Sequence, residues 1–139
     1  AQDEQLRVER VVVGSTRFCN LERWPWVVAP AEPRPVGLDA VEIGWTWLAA
    51  GAQRTHVNTE AKLLMLAHAF DVWRVRRVTL KTDVRNARSR ANIERVGARL
   101  DGVLRAHMPA ADGGVRDSAT YSILASEWPA ARDRLSARR

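Results

Sequence analysis

The chain has 139 residues, 46% of them apolar, which suits one domain with a real core and excludes a disordered or fibrous polypeptide. No run approaches the roughly 20 apolar residues a membrane helix needs, and no basic-then-apolar leader opens the sequence, so neither a membrane partner nor export is expected. The net charge is +6, and of the 22 basic residues only Lys62 and Lys81 are not arginine; this suits nucleic acid, a polyphosphate cofactor or an RNA-bound substrate equally.

In chain order, residues 1–9 are polar, with a short alternation at Leu6–Val8 that reads as a strand stub. Residues 11–18, Val-Val-Val-Gly-Ser-Thr-Arg-Phe, are β-branched and apolar and predict a buried strand. The single cysteine, Cys19, excludes an internal disulfide and reads as a small buried side chain in a cytoplasmic protein. Pro25, Pro30, Pro33 and Pro35 rule out a regular element over 22–40, leaving a long loop inserted in a single domain of residues 1–139. Trp24 and Trp26 in that loop either lid a site or anchor the loop to the body. Residues 41–48 form the next strand. There, alternation places Glu42, Gly44, Thr46 and Leu48 on one face and Ile43, Trp45 and Trp47 on the other.

A helix follows from Asn58 or Thr59 to Trp73, with few polar positions, so it should be covered on more than one side. Residues 77–82 predict a strand whose Val78, Leu80 and Thr82 share a face. A shorter helix runs from Asn86 to Val96 and is stopped by Gly97. Strands at 98–107 and 115–124 flank a hairpin turn, and a last helix occupies 126–139. The order predicts an α/β or α+β sheet with helices packed on it.

Three places carry chemistry. First, Gln53 to Thr59 leads from a strand into the long helix, whose first-turn N–H groups and partial positive charge favour an anion such as a diphosphate. Asn58 and Thr59 are also good caps, so a structural account stands beside the functional one. Second, Asn86, Ser89, Ile93 and Val96 share one helical face, which turns Ser89 inward; Asn86 either caps the helix or reaches a ligand. Third, a carboxylate at Glu42 either takes a proton from an incoming ammonium or pairs with a surface arginine. No Cys/His cluster has metal-ligand spacing, so no metal is expected.

Around the first place the sequence resembles the GNAT superfamily of N-acetyltransferases, in its RimJ/RimL branch. The likeness is carried by Glu42-Ile43-Gly44-Trp45-Thr46-Trp47-Leu48, Arg54-Thr55, Val57-Asn58-Thr59-Glu60-Ala61-Lys62 and Leu80-Lys81-Thr82-Asp83. Asn86-x-x-Ser89-Arg90, Ile93-Glu94-Arg95-x-Gly97-Ala98, Gly102-Val103-Leu104-Arg105-x-His107-Met108 and Arg116-Asp117-Ser118-x-x-Tyr121-Ser122-Ile123-Leu124 extend it. The family's phosphate loop, Gln/Arg-x-x-Gly-x-Gly/Ala, is matched as Gln53-x-x-His56-x-Asn58, with both glycines replaced.

The resemblance implies a mixed, mostly antiparallel sheet with helices on both faces. It splays between the family's fourth and fifth strands, here 41–48 and 77–83, to admit acetyl-CoA. Backbone groups from Gln53 and Arg54 through His56, Val57, Asn58 and Thr59 would hold the diphosphate, and those of Thr46, Trp47 and Leu48 the pantetheine arm. Asn86 and Ser89 would contact that arm, Ser89 as proton donor to the thiolate, with Glu42 as base. The acceptor would be a primary amine, on a protein N-terminus or a small molecule. The family's first strand and first two helices have no counterpart ahead of residue 11, which predicts exposed apolar surface and a possible homodimer. Two rivals stay open: a basic RNA- or ribosome-binding module, and a CoA-binding domain without catalysis. Nucleic acid would otherwise enter only through a ribosomal substrate.

Overall fold

The structure, a computed structural model, describes residues 10–138; the alternation at Leu6–Val8 lies outside them. Strands form at Gly14–Glu22 (β1), Ala40–Leu48 (β2), Arg77–Asp83 (β3), Arg99–Ala110 (β4) and Gly114–Leu124 (β5), and helices at Val57–Ala67 (α1), Ala87–Arg95 (α2) and Trp128–Ser136 (α3). The strands make one sheet in the order β1-β2-β3-β5-β4. Every neighbouring pair is antiparallel except β2 and β3.

Strand β3 alternates without a break, burying Val78, Leu80 and Thr82. Their partners across the ladder, Ile123, Tyr121 and Ala119 of β5, are buried on the same face because directly opposed residues share a side. Leu63 and Leu66 of α1, Ile93 of α2 and Leu135 of α3 complete that core. Each such side chain contributes roughly 2 kcal/mol of transfer free energy. All three helices of the described residues therefore stand on one face of the sheet. The opposite face is charged and polar: Lys81 meets Glu42, and Asp101 meets Arg77 and Ser122.

Helix α1 starts at Val57, one to two residues before the expected boundary, and its end widens into a π-turn over His68–Val72, marked by the Trp73 N–H donating to the His68 carbonyl. Its exposure inverts the simple pattern. Leu64 is 67% exposed while Lys62 is 5% exposed, yet Leu64 is the one exposed residue of α1, which packs on the sheet and against α3 and so is covered on more than one side as expected. Helix α2 ends as predicted, Gly97 taking φ +104 just past it.

The proline-rich loop is built around one carboxylate. Asp39 is fully buried and accepts from the Trp24 N–H (2.8 Å), the Trp26 indole (3.0 Å) and the Arg34 guanidinium (3.0 and 2.6 Å). Arg76 lies 4.6 Å from the centre of the Trp26 ring. Both tryptophans are thus anchors, and neither borders the cleft described below. Burial opposes the Asp39 charge, but the bonds from Trp24, Arg34 and Trp26 outweigh it and hold the carboxyl below its usual range. The group therefore stabilises the fold above its ordinary pKa, and that contribution is lost as pH falls below it. Asp39→Asn should lower the unfolding free energy by about 2–3 kcal/mol, because it leaves Arg34 beside a neutral amide. Urea unfolding would measure this, and a loss below about 1 kcal/mol would show the loop to be held elsewhere.

Candidate functional site

Strands β2 and β3 pair over only three positions, Ala40–Arg77, Val41–Val78 and Glu42–Thr79, and then separate. β3 stays with β5 through Asp83–Ser118, so it is β2 that departs. The cause lies in its other ladder. Ser15 faces Trp47 while Arg17 faces Gly44, leaving Trp45 and Thr46 together opposite Thr16. Trp45 at this bulge takes φ +54, a left-handed conformation that is uncommon for a large residue. Bulges bend and overtwist a strand. The two strands open on a cleft of about 990 Å³.

The bulge also corrects the alternation expected of 41–48. Glu42 and Thr46 do not share a face: Thr46 Oγ1 meets Thr16 Oγ1 (3.0 Å) and Lys62 Nζ (2.8 Å) from α1, while Glu42 lies on the side away from the helices. Glu42 is 5% exposed, and both its oxygens are engaged. Lys81 Nζ lies 3.1 Å from Oε1; Asn20 Nδ2 (2.8 Å) and Cys19 Sγ (3.1 Å) donate to Oε2. Its partner is thus a lysine across the opening rather than a surface arginine. Burial, followed by the bond to Glu42, pushes the Cys19 thiol up to about 11, consistent with the inert role expected of it.

At the helix end of the cleft, the missing glycines prove conformationally unnecessary. His56 is right-handed (φ −72, ψ −5) and Asn58 is helical; the left-handed residue of this turn is Arg54 (φ +61). Thr55 Oγ1 accepts from the Val57 N–H, and the Glu60 N–H donates to the His56 carbonyl. The N–H groups of Asn58 and Thr59 make no hydrogen bond within the described residues. Gln53, Arg54, Asn58 and Thr59 border the cleft; His56 and Val57 do not. On the far wall, Asn86 caps α2 by accepting from the Ser89 N–H (3.0 Å), and both residues border the same space. Thr46, Trp47 and Leu48 supply the opposite wall.

Sequence reasoning missed the charge of this cleft. Arg54, Lys62, Lys81, Arg88, Arg95 and Arg116 line it against one carboxylate, Glu42. Lys62 is legible in the sequence as one of the few polar residues of an apolar helix and as the last residue of the Val57–Lys62 motif. Burial alone lowers its ammonium to about 8.

The Acetyltransferase (GNAT) domain family model matches residues 3–99. No curated protein matches. Among solved structures, a GCN5-related N-acetyltransferase from Brucella melitensis aligns with a TM-score of 0.76 at 30% identity, covering 91% of this chain and 51% of that one. Mycobacterium smegmatis RimJ, solved with CoA-disulfide, aligns at 0.70 and 28%, covering 90% and 54%. A structure from T. thermophilus that carries an acetyltransferase name aligns at 0.67 and 44%, covering 71% and 52%. The chain thus spans about half the length of these solved relatives.

The Lys62 shift has a definite sign. Its folded pKa of about 8 lies below the ordinary 10.5, so between those values the unfolded chain binds more protons and stability rises with pH. Lys62→Met removes this group. The stability difference between variant and wild type should therefore be flat below pH 8 and drift in favour of the wild type from there to about 10.5. Urea titrations of both proteins at matched pH would measure it, and a drift in the other direction would contradict the assignment.

Proposed function

This chain belongs to the GNAT acetyltransferase family, and from that premise we propose that it serves acetyl transfer from acetyl-CoA to a primary amine, in the manner of the RimJ/RimL branch. The observation that carries this reading is the cleft between β2 and β3, with six basic side chains on its walls and unbonded amides at the start of α1. A long, polyanionic, partly extended ligand fits both its shape and its charge. The CoA-disulfide in M. smegmatis RimJ supports the same choice.

Acetyl-CoA, when bound, supplies an acetyl group already activated as a thioester. The amides of Asn58 and Thr59, at the positive end of an eleven-residue helix, hold the diphosphate, with Gln53 and Arg54 beside them. Thr46, Trp47 and Leu48 offer backbone groups left without a β3 partner, which hold the pantetheine arm as an added strand. An N–H of the same strand polarises the acyl carbonyl, a contribution that grows in a site from which water is excluded. Asn86 and Ser89 bracket the arm from α2. Glu42 takes the proton of the acceptor ammonium, exchanging Lys81 for the incoming amine, and the Ser89 hydroxyl gives a proton to the departing thiolate. The amine attacks directly, so holding both reactants on opposite sides of one opening is the other main contribution. The acceptor is a protein N-terminus or a small-molecule amine.

Thermal melting with acetyl-CoA tests the binding half. At about 100 times its Kd the ligand should add about 2.7 kcal/mol, several degrees in a domain of this size. No shift at millimolar ligand would sink the reading. Release of CoA thiol in the presence of amines tests the transfer half, and binding without release would favour a non-catalytic CoA-binding domain. Glu42→Gln should lower kcat about a hundredfold with little change in KM for acetyl-CoA, because it removes the base and leaves the diphosphate grip intact.

A further inference from the structure

Three charged side chains are buried among the described residues: Asp39, Glu42 and Lys62. Asp39 has Arg34 at 2.6 Å and Glu42 has Lys81 at 3.1 Å. Lys62 has no carboxylate partner among the described residues. Its ammonium donates to two hydroxyls, Thr46 Oγ1 (2.8 Å) and Thr16 Oγ1 (3.2 Å), at 5% residue exposure. A buried ion without a counter-charge is among the more costly features a fold can carry, and two neutral acceptors offset only part of that cost. An ammonium also has three donors, and two are used.

We propose that Lys62 is a binding residue for the diphosphate of a CoA-type ligand, and that the missing counter-ion is the ligand's own phosphate. This rests on the reading of the cleft given above and deepens it. Lys62 follows Thr59 by three residues and Asn58 by four, so all three share one face of α1, and all three border the cleft. Helical side chains lean toward the helix N-terminus, here the end where the Asn58 and Thr59 amides have no acceptor. The anion that satisfies those amides therefore binds on the side toward which Lys62 leans. A second role is available on the same geometry: through Thr16 and Thr46 the ammonium could simply tie β1 to β2 across the bulge. The two roles predict opposite behaviour when the charge is removed.

The test compares wild type, Lys62→Met and Lys62→Arg, with acetyl-CoA and with acetyl-pantetheine, which lacks the diphosphate. Without ligand at neutral pH, Lys62→Met should melt several degrees higher than wild type, since an uncompensated buried charge has gone. Its Kd for acetyl-CoA should rise about tenfold, the size expected for one charge-assisted contact, with that for acetyl-pantetheine unchanged. Lys62→Arg should keep the preference for acetyl-CoA. A lower melting point or failure to fold in Lys62→Met, or equal weakening toward both ligands, would make Lys62 a strand tie and overturn the proposal. If wild type prefers acetyl-CoA and Lys62→Met prefers it equally, only the Lys62 assignment fails. If wild type binds neither ligand, the reading of the cleft fails with it.

Discussion

The departure of β2 from β3 is the constraint on which the rest of the structure depends. A parallel pair gains a regular series of slanted hydrogen bonds for every residue it continues, and this pair stops after three positions. The loss is tolerated because β2 remains paired with β1 and β3 with β5, so each strand keeps one full ladder. Trp45 and Thr46, sharing one opposing residue, supply the bend. A left-handed Trp45 costs of order 1–3 kcal/mol and persists only where surrounding structure enforces it. Here Arg17 stacks on its ring at 4.8 Å, and Lys62 and Thr16 fix Thr46 beside it.

With the strands apart, the two walls acquire different chemistry. The side away from the helices carries the buried Glu42–Lys81 pair, a carboxylate and an ammonium facing one another across the gap. The helix side carries Lys62 and the first turn of α1, which concentrate positive potential where the backbone amides already point. Arg88 and Arg95 add charge from α2, and Arg116 from β5. A ligand with an anionic end and a reactive end is oriented by such an asymmetry before any specific contact forms.

Much of this frame is legible in the sequence. The alternation of 77–82 names the buried face of β3 because that strand is central and unbroken. Gly97 reads as a helix stop and takes the left-handed conformation that role requires. What fails does so for local reasons. Period-two reasoning places Glu42 and Thr46 together because it assumes a strand without a bulge, and nothing in Gly44-Trp45-Thr46 signals an extra residue. The family glycines at 56 and 58 look indispensable because a motif records residue types, not dihedrals; the left-handed position is Arg54, two residues earlier. The loop at 22–40 offers no rule to choose between lid and anchor. That choice is made by Asp39, a residue that sequence patterning treats as an ordinary loop acid.

The buried charges follow one logic. Asp39 has its counter-charge inside the fold and organises a loop; Glu42 has a counter-charge, Lys81, on the other side of the opening; Lys62 has hydroxyls only. Moving from the first to the third, the fold supplies less of the compensation itself, and the residue comes to border the cleft. A sequence selected for stability alone would fill position 62 with an aliphatic side chain, as its neighbours Leu63 and Leu66 do in the same helix. A lysine held there against its desolvation cost is the arrangement expected where strain is stored at a functional site and released by what binds there. Charge compensation thus separates Asp39 and Glu42, whose counter-charges lie inside the fold, from Lys62, whose acceptors are two neutral hydroxyls.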